Sequence, residues 1–274
     1  MELKKREKSR QRNSIIKSLV FICTLALVFC VASNNAIGVT VNITPSLPSG
    51  CSECGVAPAI PNPTVNETQN ANCGSAWGVT LPTYNNTYTL TTPCFDSNTE
   101  KWLSFLQTLT TEVGIIRRCP SHPPNVACLG DVAGMTKAQA QAVLAVYPAD
   151  PITLSDVQSA GQKNWACDEC TARHEEAHLN IDWLQNAFGP ELTRFSTYLK
   201  NNGVAVNCST ASTLSCNTAI TAAVKTQYDT EWQNRLRAAV VTWNSNGEGS
   251  SGYNAEIPCY QVIRNTLVQR ANQP

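Results

Sequence analysis

The sequence predicts a mainly α-helical fold, with a mixed α+β arrangement as the alternative, in which a disulfide-stapled helical domain follows an extended arm. Two long stretches, residues 165–188 and about 216–243, contain neither proline nor glycine, as is typical of helices. Residues 33–95 are instead rich in proline, asparagine and threonine, which favours extended chain. The chain also has thirteen cysteines, which can link these parts covalently.

The first 32 residues are predicted to be a signal peptide or a signal anchor. Residues 1–17 contain seven lysines or arginines, and residues 18–32 form an uncharged, mostly apolar run. A basic flank before an apolar core directs the following chain across the membrane. Small residues near Ala32 permit cleavage, and an uncleaved segment would be a transmembrane helix. In both cases we expect an extracytoplasmic protein, either secreted or anchored to the membrane.

Composition and charge divide the rest of the chain into two parts. Residues 33–96 are the predicted extended arm, rich in cysteine and proline, and residues 97–274 are the predicted helical domain. Beyond residue 17 there are 13 basic and 18 acidic side chains. We therefore expect no nucleic-acid partner, because a binding protein of that class needs a basic surface. The sequence specifies no oligomeric state.

Local patterns predict the elements within these parts. Alternation over residues 79–91 predicts one or two short strands. From Ser97 onward an apolar cluster over residues 102–109 predicts that the chain becomes helical, and residues 135–146 predict another helix. Gly189-Pro190 is predicted to end the helix over residues 165–188.

The cysteines predict a disulfide framework. Eleven of them follow the apolar segment, and in an exported protein this density indicates five bridges and one remaining thiol. Cys51-x-x-Cys54 and Cys167-x-x-Cys170 also match zinc-ribbon or redox spacing, but more than a hundred residues separate the two pairs. We expect Cys170 to tie its helix to a neighbouring segment.

The motif that indicates function is His174-Glu175-Glu176-Ala177-His178, which contains two of the three histidines in the chain. On a helix this spacing places both imidazoles on one face, one turn apart, where they can bind one metal ion. Glu175 would then lie beside the open coordination position and accept a proton from water.

This H-E-x-x-H arrangement resembles the zincin superfamily of metallopeptidases. Glu176 and Asn180 depart from the stricter family pattern, and the positions that match it are Thr171, Ala172, Ala177 and Leu179. The resemblance implies a zincin-like helical domain and a Zn²⁺ cofactor bound by His174 and His178. It also implies Glu175 as general base and a peptide or protein as substrate. No histidine follows His178, so the expected third ligand is a carboxylate, as in the gluzincin branch.

Glu231 is the predicted third ligand. It borders the apolar stripe of the helix over residues 216–243, and the segment from Tyr228 to Glu231 loosely resembles one in secreted bacterial H-E-x-x-H proteins. A simple ion pair between Glu231 and Arg235, one turn apart, is the alternative. Glu191 and Asp182 are further candidates, although Asp182 is better placed to orient a histidine.

These features predict an exported zinc metalloendopeptidase, a hydrolase that uses metal-activated water and a glutamate base. The alternative is a cystine-rich surface or adhesion module with a structural metal site and no turnover. The two differ at the metal, because a structural site is closed by a fourth protein ligand whereas a catalytic site keeps an open position beside Glu175. A secreted toxin or effector and a housekeeping enzyme would share the same motif.

Overall fold

The computed structural model describes residues 47, 51–69, 73, 76–119, 128–160, 167–207, 213–246 and 250–274. The predicted signal or anchor segment lies outside these residues, and so does His122, the third histidine of the chain. Among the helices that are described, none combines the length and the apolar character needed to span a membrane.

A small β-sheet precedes most of the helices. The strands are β1 Thr64–Thr68, β2 Val79–Pro82, β3 Thr87–Leu90, β4 Cys94–Asp96, β5 Lys101–Leu103 and β6 Leu106–Ile116. The long strand β6 is central, with β1 parallel to it and with β2 and β3 antiparallel to its two halves. Strands β4 and β5 form a separate two-stranded sheet. Four strands thus lie in the predicted arm, whose extended chain is organised into sheets.

The predicted helix after Ser97 is wrong, because residues 101–103 and 106–116 form β5 and β6. In β6 the side chains of Leu109, Thr111, Val113 and Ile115 are 0–1% exposed. Their spacing of two residues is the period of a strand with one buried face. The apolar cluster over residues 102–109 therefore reflects the burial of successive strands. A short apolar run does not distinguish a buried strand from a buried helix. The prediction of one or two short strands over residues 79–91 is confirmed, since β2 and β3 lie there.

Helices make up the remainder. They are α1 Leu129–Ala133, α2 Lys137–Leu144, α3 Leu154–Gln158, α4 Asp168–Ala177, a π-helix His178–Phe188, α5 Gly189–Asn201, α6 Thr213–Asn246 and α7 Ser250–Ala271. Helix α2 begins with a capping box in which Thr136 and Gln139 satisfy each other's backbone N–H groups. The helices predicted near residues 135–146, 165–188 and 216–243 are confirmed.

The predicted stop at Gly189-Pro190 is wrong, because the chain continues from the π-helix directly into α5. Pro190 lies in the first turn of α5, where a missing N–H and a fixed φ are tolerated. Gly189 is needed for close packing, since a Cβ there would lie 2.7 Å from the carbonyl oxygen of Leu184.

Two hydrophobic clusters form the core. In the first, α6, α5 and the π-helix pack on the sheet, and the fully buried Trp183 stacks on Phe188 and donates a hydrogen bond to Thr111. In the second, α7 packs against α1 to α4 through buried residues such as Tyr260 and Ile263. Burying each large apolar side chain contributes about 1.5–3 kcal/mol. The chain crosses from the second cluster to the first where α4 becomes the π-helix.

Disulfides join these parts, as predicted. The four bridges among described residues are Cys54–Cys94, Cys73–Cys119, Cys128–Cys167 and Cys170–Cys259. Cys216 is also disulfide-bonded, and Cys51 is a free thiol. The expected role of Cys170 is confirmed, because its bridge ties α4 to α7 across 89 residues of sequence.

Candidate functional site

The histidine motif lies at the junction of α4 and the π-helix. His174 is in the last turn of α4 and His178 is the first residue of the π-helix. The side chains of this motif face inward, since His174, Glu175 and His178 are 9%, 5% and 6% exposed. Cys170, one turn before His174, holds this face of α4 against α7 through its disulfide.

The two imidazoles contact each other directly. Their Nε2 atoms are 2.8 Å apart, and His178 Nδ1 lies 2.7 Å from Oδ2 of Asp182. A carboxylate accepts only, so Nδ1 of His178 is the donor in that contact. A neutral His178 then has its lone pair on Nε2, and His174 donates to it. Asp182, His178 and His174 therefore form one hydrogen-bonded chain.

The π-helix brings Asp182 into this chain. Cys170, His174, His178 and Asp182 follow one another at intervals of four residues. Residues four apart are neighbours on the surface of a helix, and Asp182 contacts His178 in this way. The hydroxyl of Ser251 on α7 donates a hydrogen bond to the same carboxylate oxygen.

Helix α7 supplies the other wall of the site. Oε2 of Glu256 lies 3.5 Å from Nδ1 of His174. The ring of Tyr253 packs edge-on against the His174 ring, with the two ring centroids 4.8 Å apart. Glu256 is 7% exposed. Burial raises the pKa of its carboxyl, and the contact with His174 opposes that rise. Glu256 is thus the carboxylate that α7 brings to the histidine pair.

The side chain of Glu175 contacts β2. Its Oε2 accepts a hydrogen bond of 2.6 Å from the hydroxyl of Thr80. Gly78 permits this approach, because a Cβ at that position would lie 2.7 Å from both Cγ and Oε1 of Glu175. The sheet therefore orients the carboxylate that follows the first histidine.

We expect Thr80→Val to lower the free energy of unfolding by about 1–3 kcal/mol, because the buried carboxylate of Glu175 would lose a donor. Thr80→Ser is the matched control, since it keeps the hydroxyl. Denaturant unfolding of both variants measures the effect. Equal stability of the valine and serine variants would show that this hydrogen bond is not important.

The three carboxylates that the sequence indicated as candidate third ligands have other partners. Glu231 pairs with Arg235, whose Nε lies 2.6 Å from Oε1. Arg235 also contacts Glu191, which pairs in addition with Arg194. Asp182 contacts His178 through Nδ1 and not through Nε2.

The sequence analysis did not predict Glu256 as a site residue, although the apolar stripe of α7 indicates its position. Tyr260, Ile263 and Leu267 recur at helical spacing and are 0–1% exposed. Glu256 continues this stripe one turn earlier, and it is also buried. A carboxylate in the apolar stripe of a helix needs a partner, so this position indicates a polar site.

Comparisons with known proteins do not support the resemblance drawn from the motif. No protein-family model, no curated protein and no solved structure matches this chain. Within the described part of the chain, no group of three or more His, Cys, Asp or Glu side chains is arranged to hold a metal ion. The assignment to the zincin superfamily and its gluzincin branch is therefore wrong. The site has to be interpreted from its own contacts.

The geometry of the histidine pair explains the lack of such a group. Two ligands of a tetrahedral zinc ion are roughly 3.3 Å apart, given Zn–N distances of about 2.0–2.1 Å. The two Nε2 atoms are 2.8 Å apart, which is a hydrogen-bonding distance. Glu256 faces Nδ1 of His174, away from this pair. The donor types suit zinc, but the imidazoles must separate before an ion fits between them.

Proposed function

We propose that the chain is an exported hydrolase of peptide bonds whose active site comprises His174, Glu175, His178 and Glu256. One observation supports this proposal: these four ionisable side chains are only 5–9% exposed and lie together where α4, the π-helix and α7 meet. Burial of such groups is costly, and clusters of them are typical of functional sites. The proposal rests on these contacts and not on a family relationship.

Zinc is the proposed cofactor. His174 and His178 would provide two nitrogen ligands through their Nε2 atoms. Glu256 faces Nδ1 of His174 and would orient that imidazole, as Asp182 orients His178. Glu231 is paired with Arg235 and is not proposed as a ligand. Bound zinc would supply Lewis acidity and lower the pKa of water towards neutrality.

The surrounding residues have separate proposed roles. Asp182 accepts the Nδ1 hydrogen of His178 and so directs the Nε2 lone pair of that imidazole towards the site. Glu175 would accept a proton from the attacking water and pass it to the leaving amine. Thr80 holds the Glu175 carboxylate in place through its hydroxyl. The substrate would be a peptide or protein met outside the cytoplasm.

A second candidate function is a cystine-rich surface module in which this cluster only stabilises the fold. The direct 2.8 Å contact between the two Nε2 atoms favours it, because each imidazole already satisfies the other. In that case the protein would bind no zinc at this position and would cleave no peptide.

Zinc content distinguishes the two candidates. We expect purified protein to retain about one zinc per chain and His174→Ala to lose it, as measured by elemental analysis and calorimetry. Glu256→Gln should weaken binding about 10- to 100-fold, the range for a group that orients a metal-binding histidine. Glu231→Gln is the control and should bind as wild type does. Absence of zinc binding by the wild type, or equal binding by the His174 variant, would contradict the proposal.

A further inference from the structure

The first two turns of α7, residues 250–257, cover the histidine pair, and we call this segment the lid. A Cβ on Gly252 would lie 2.6 Å from Nε2 of His174 and 2.7 Å from its two neighbouring ring carbons. The backbone of Gly252 thus lies directly on the imidazole, at the nitrogen that faces His178. Tyr253 packs on the same ring.

A hydrogen bond stabilises the lid in this position. The Ser251 hydroxyl donates a hydrogen bond to Asp182, the residue that orients His178. This contact links the start of α7 to the π-helix. The lid, its hydrogen bond to Asp182 and the histidine pair therefore lie within one cluster, with the backbone of Gly252 against Nε2 of His174.

The other end of the lid is a weak point of the helix. Pro258 lies inside α7, where it lacks the N–H that would bond to the carbonyl of Asn254, and its ring crowds that carbonyl. Pro258 therefore weakens the connection between the lid and the rest of the helix. Sharp bends in helices also commonly occur at proline residues.

The part of α7 that follows Pro258 is fixed. Cys259 is bonded to Cys170 of α4, and Tyr260, Ile263 and Leu267 are 0–1% exposed in the second core cluster. Tyr253 and Ile257, which precede Pro258, pack at the edge of this cluster as partly buried side chains. The segment before Pro258 can therefore move without breaking the covalent link, and its movement would expose these two side chains.

We propose that residues 250–257 form a lid that pivots at Pro258 and controls access to His174 and His178. When the lid opens, Ser251 leaves Asp182 and both Gly252 and Glu256 leave the imidazole of His174. The two rings then gain the space to separate. The role of the lid in regulating zinc and substrate entry rests on the proposed function. The opening of the lid itself requires neither zinc nor substrate.

Acylation of the imidazoles by diethyl pyrocarbonate tests the lid in metal-free full-length protein. The chain has three histidines, so mass spectrometry of the digested protein gives the rates at His174 and His178 relative to His122 in the same sample. We expect slow acylation of the pair in the wild type. Ser251→Ala should raise the relative rate about fivefold or more, because it removes the hydrogen bond to Asp182. A hydrogen bond contributes about 1 kcal/mol, which corresponds to that factor.

Gly252→Ala should raise the rate further. Alanine is a better helix former than glycine, so faster acylation in this variant would reflect the clash with His174 and not a weaker helix. Pro258→Ala should lower the rate several-fold, because it restores the missing helical hydrogen bond. Val262→Ala is the control, since Val262 is 50% exposed on the fixed part of α7, and it should react as wild type does.

Two results would overturn the lid. One is an unchanged relative rate in Ser251→Ala and Gly252→Ala. The other is a parallel rise in the reactivity of the Cys51 thiol, which is half-buried beside Asn217 and would report general unfolding. Lack of zinc binding or of hydrolysis would contradict the proposed function and leave these rates unaffected, so the two failures are distinguishable.

Discussion

Glu175→Gln is expected to reduce peptide hydrolysis by zinc-loaded protein about 10²- to 10⁴-fold, the contribution of a positioned general base. The glutamine amide cannot accept a proton from water, yet its oxygen can still accept the hydrogen bond from Thr80. Zinc content and the free energy of unfolding should therefore stay close to the wild-type values. The measurement is kcat on a peptide that the wild type cleaves, chosen from a broad peptide library.

Glu176→Gln is the matched control for this variant. Glu176 is the next residue in the chain, but its side chain is 51% exposed and pairs with Arg117 at the surface. We expect its hydrolysis rate to remain within about twofold of wild type, because an exposed ion pair contributes little. Wild-type cleavage by the Glu175 variant would refute the assigned role of Glu175, even if the protein is a peptidase.

Removal of the Cys170–Cys259 bridge is expected to produce the largest loss of stability. The bridge closes a loop of 89 residues, and the chain-entropy relation gives a loss of about 4–5 kcal/mol for that length. The double variant Cys170→Ala/Cys259→Ala should therefore unfold at much lower denaturant concentration. It should also bind zinc about 10- to 100-fold more weakly, the range for changes outside the ligand shell, because α7 would no longer be fixed against α4.

Cys54→Ala/Cys94→Ala separates these two effects. Its bridge spans 40 residues of sequence, so the loss of stability should be about 4 kcal/mol, close to that of the first pair. This bridge lies at β4 and not at α4 or α7, so zinc affinity should not change. Equal zinc affinities in the two double variants would show that the Cys170–Cys259 bridge has no part in positioning the site.

Local patterns determined much of the helical structure and the covalent framework. Thirty-four residues of α6 form a helix where the sequence lacks glycine and proline, and helical spacing of apolar residues is a local property that one segment reveals. Cysteine density in an exported chain likewise predicts disulfides without knowledge of their partners. The strands of residues 101–116 were missed because their apolar runs are short. Only pairing decides their conformation, that of β5 with β4 and that of β6 with β1, β2 and β3.

The sequence by itself determined that His174, Glu175 and His178 share a helical segment, because a spacing of four residues is enough to place two imidazoles one turn apart. Only the tertiary structure decided which carboxylate meets them. Glu256 is 82 residues beyond His174 and reaches it because α7 packs on α4 and is bonded to it at Cys259. Glu231 instead pairs with Arg235, its neighbour one turn away. Long-range packing also placed Gly252 on the imidazole of His174, since contacts between distant segments depend on how helices assemble and not on local spacing.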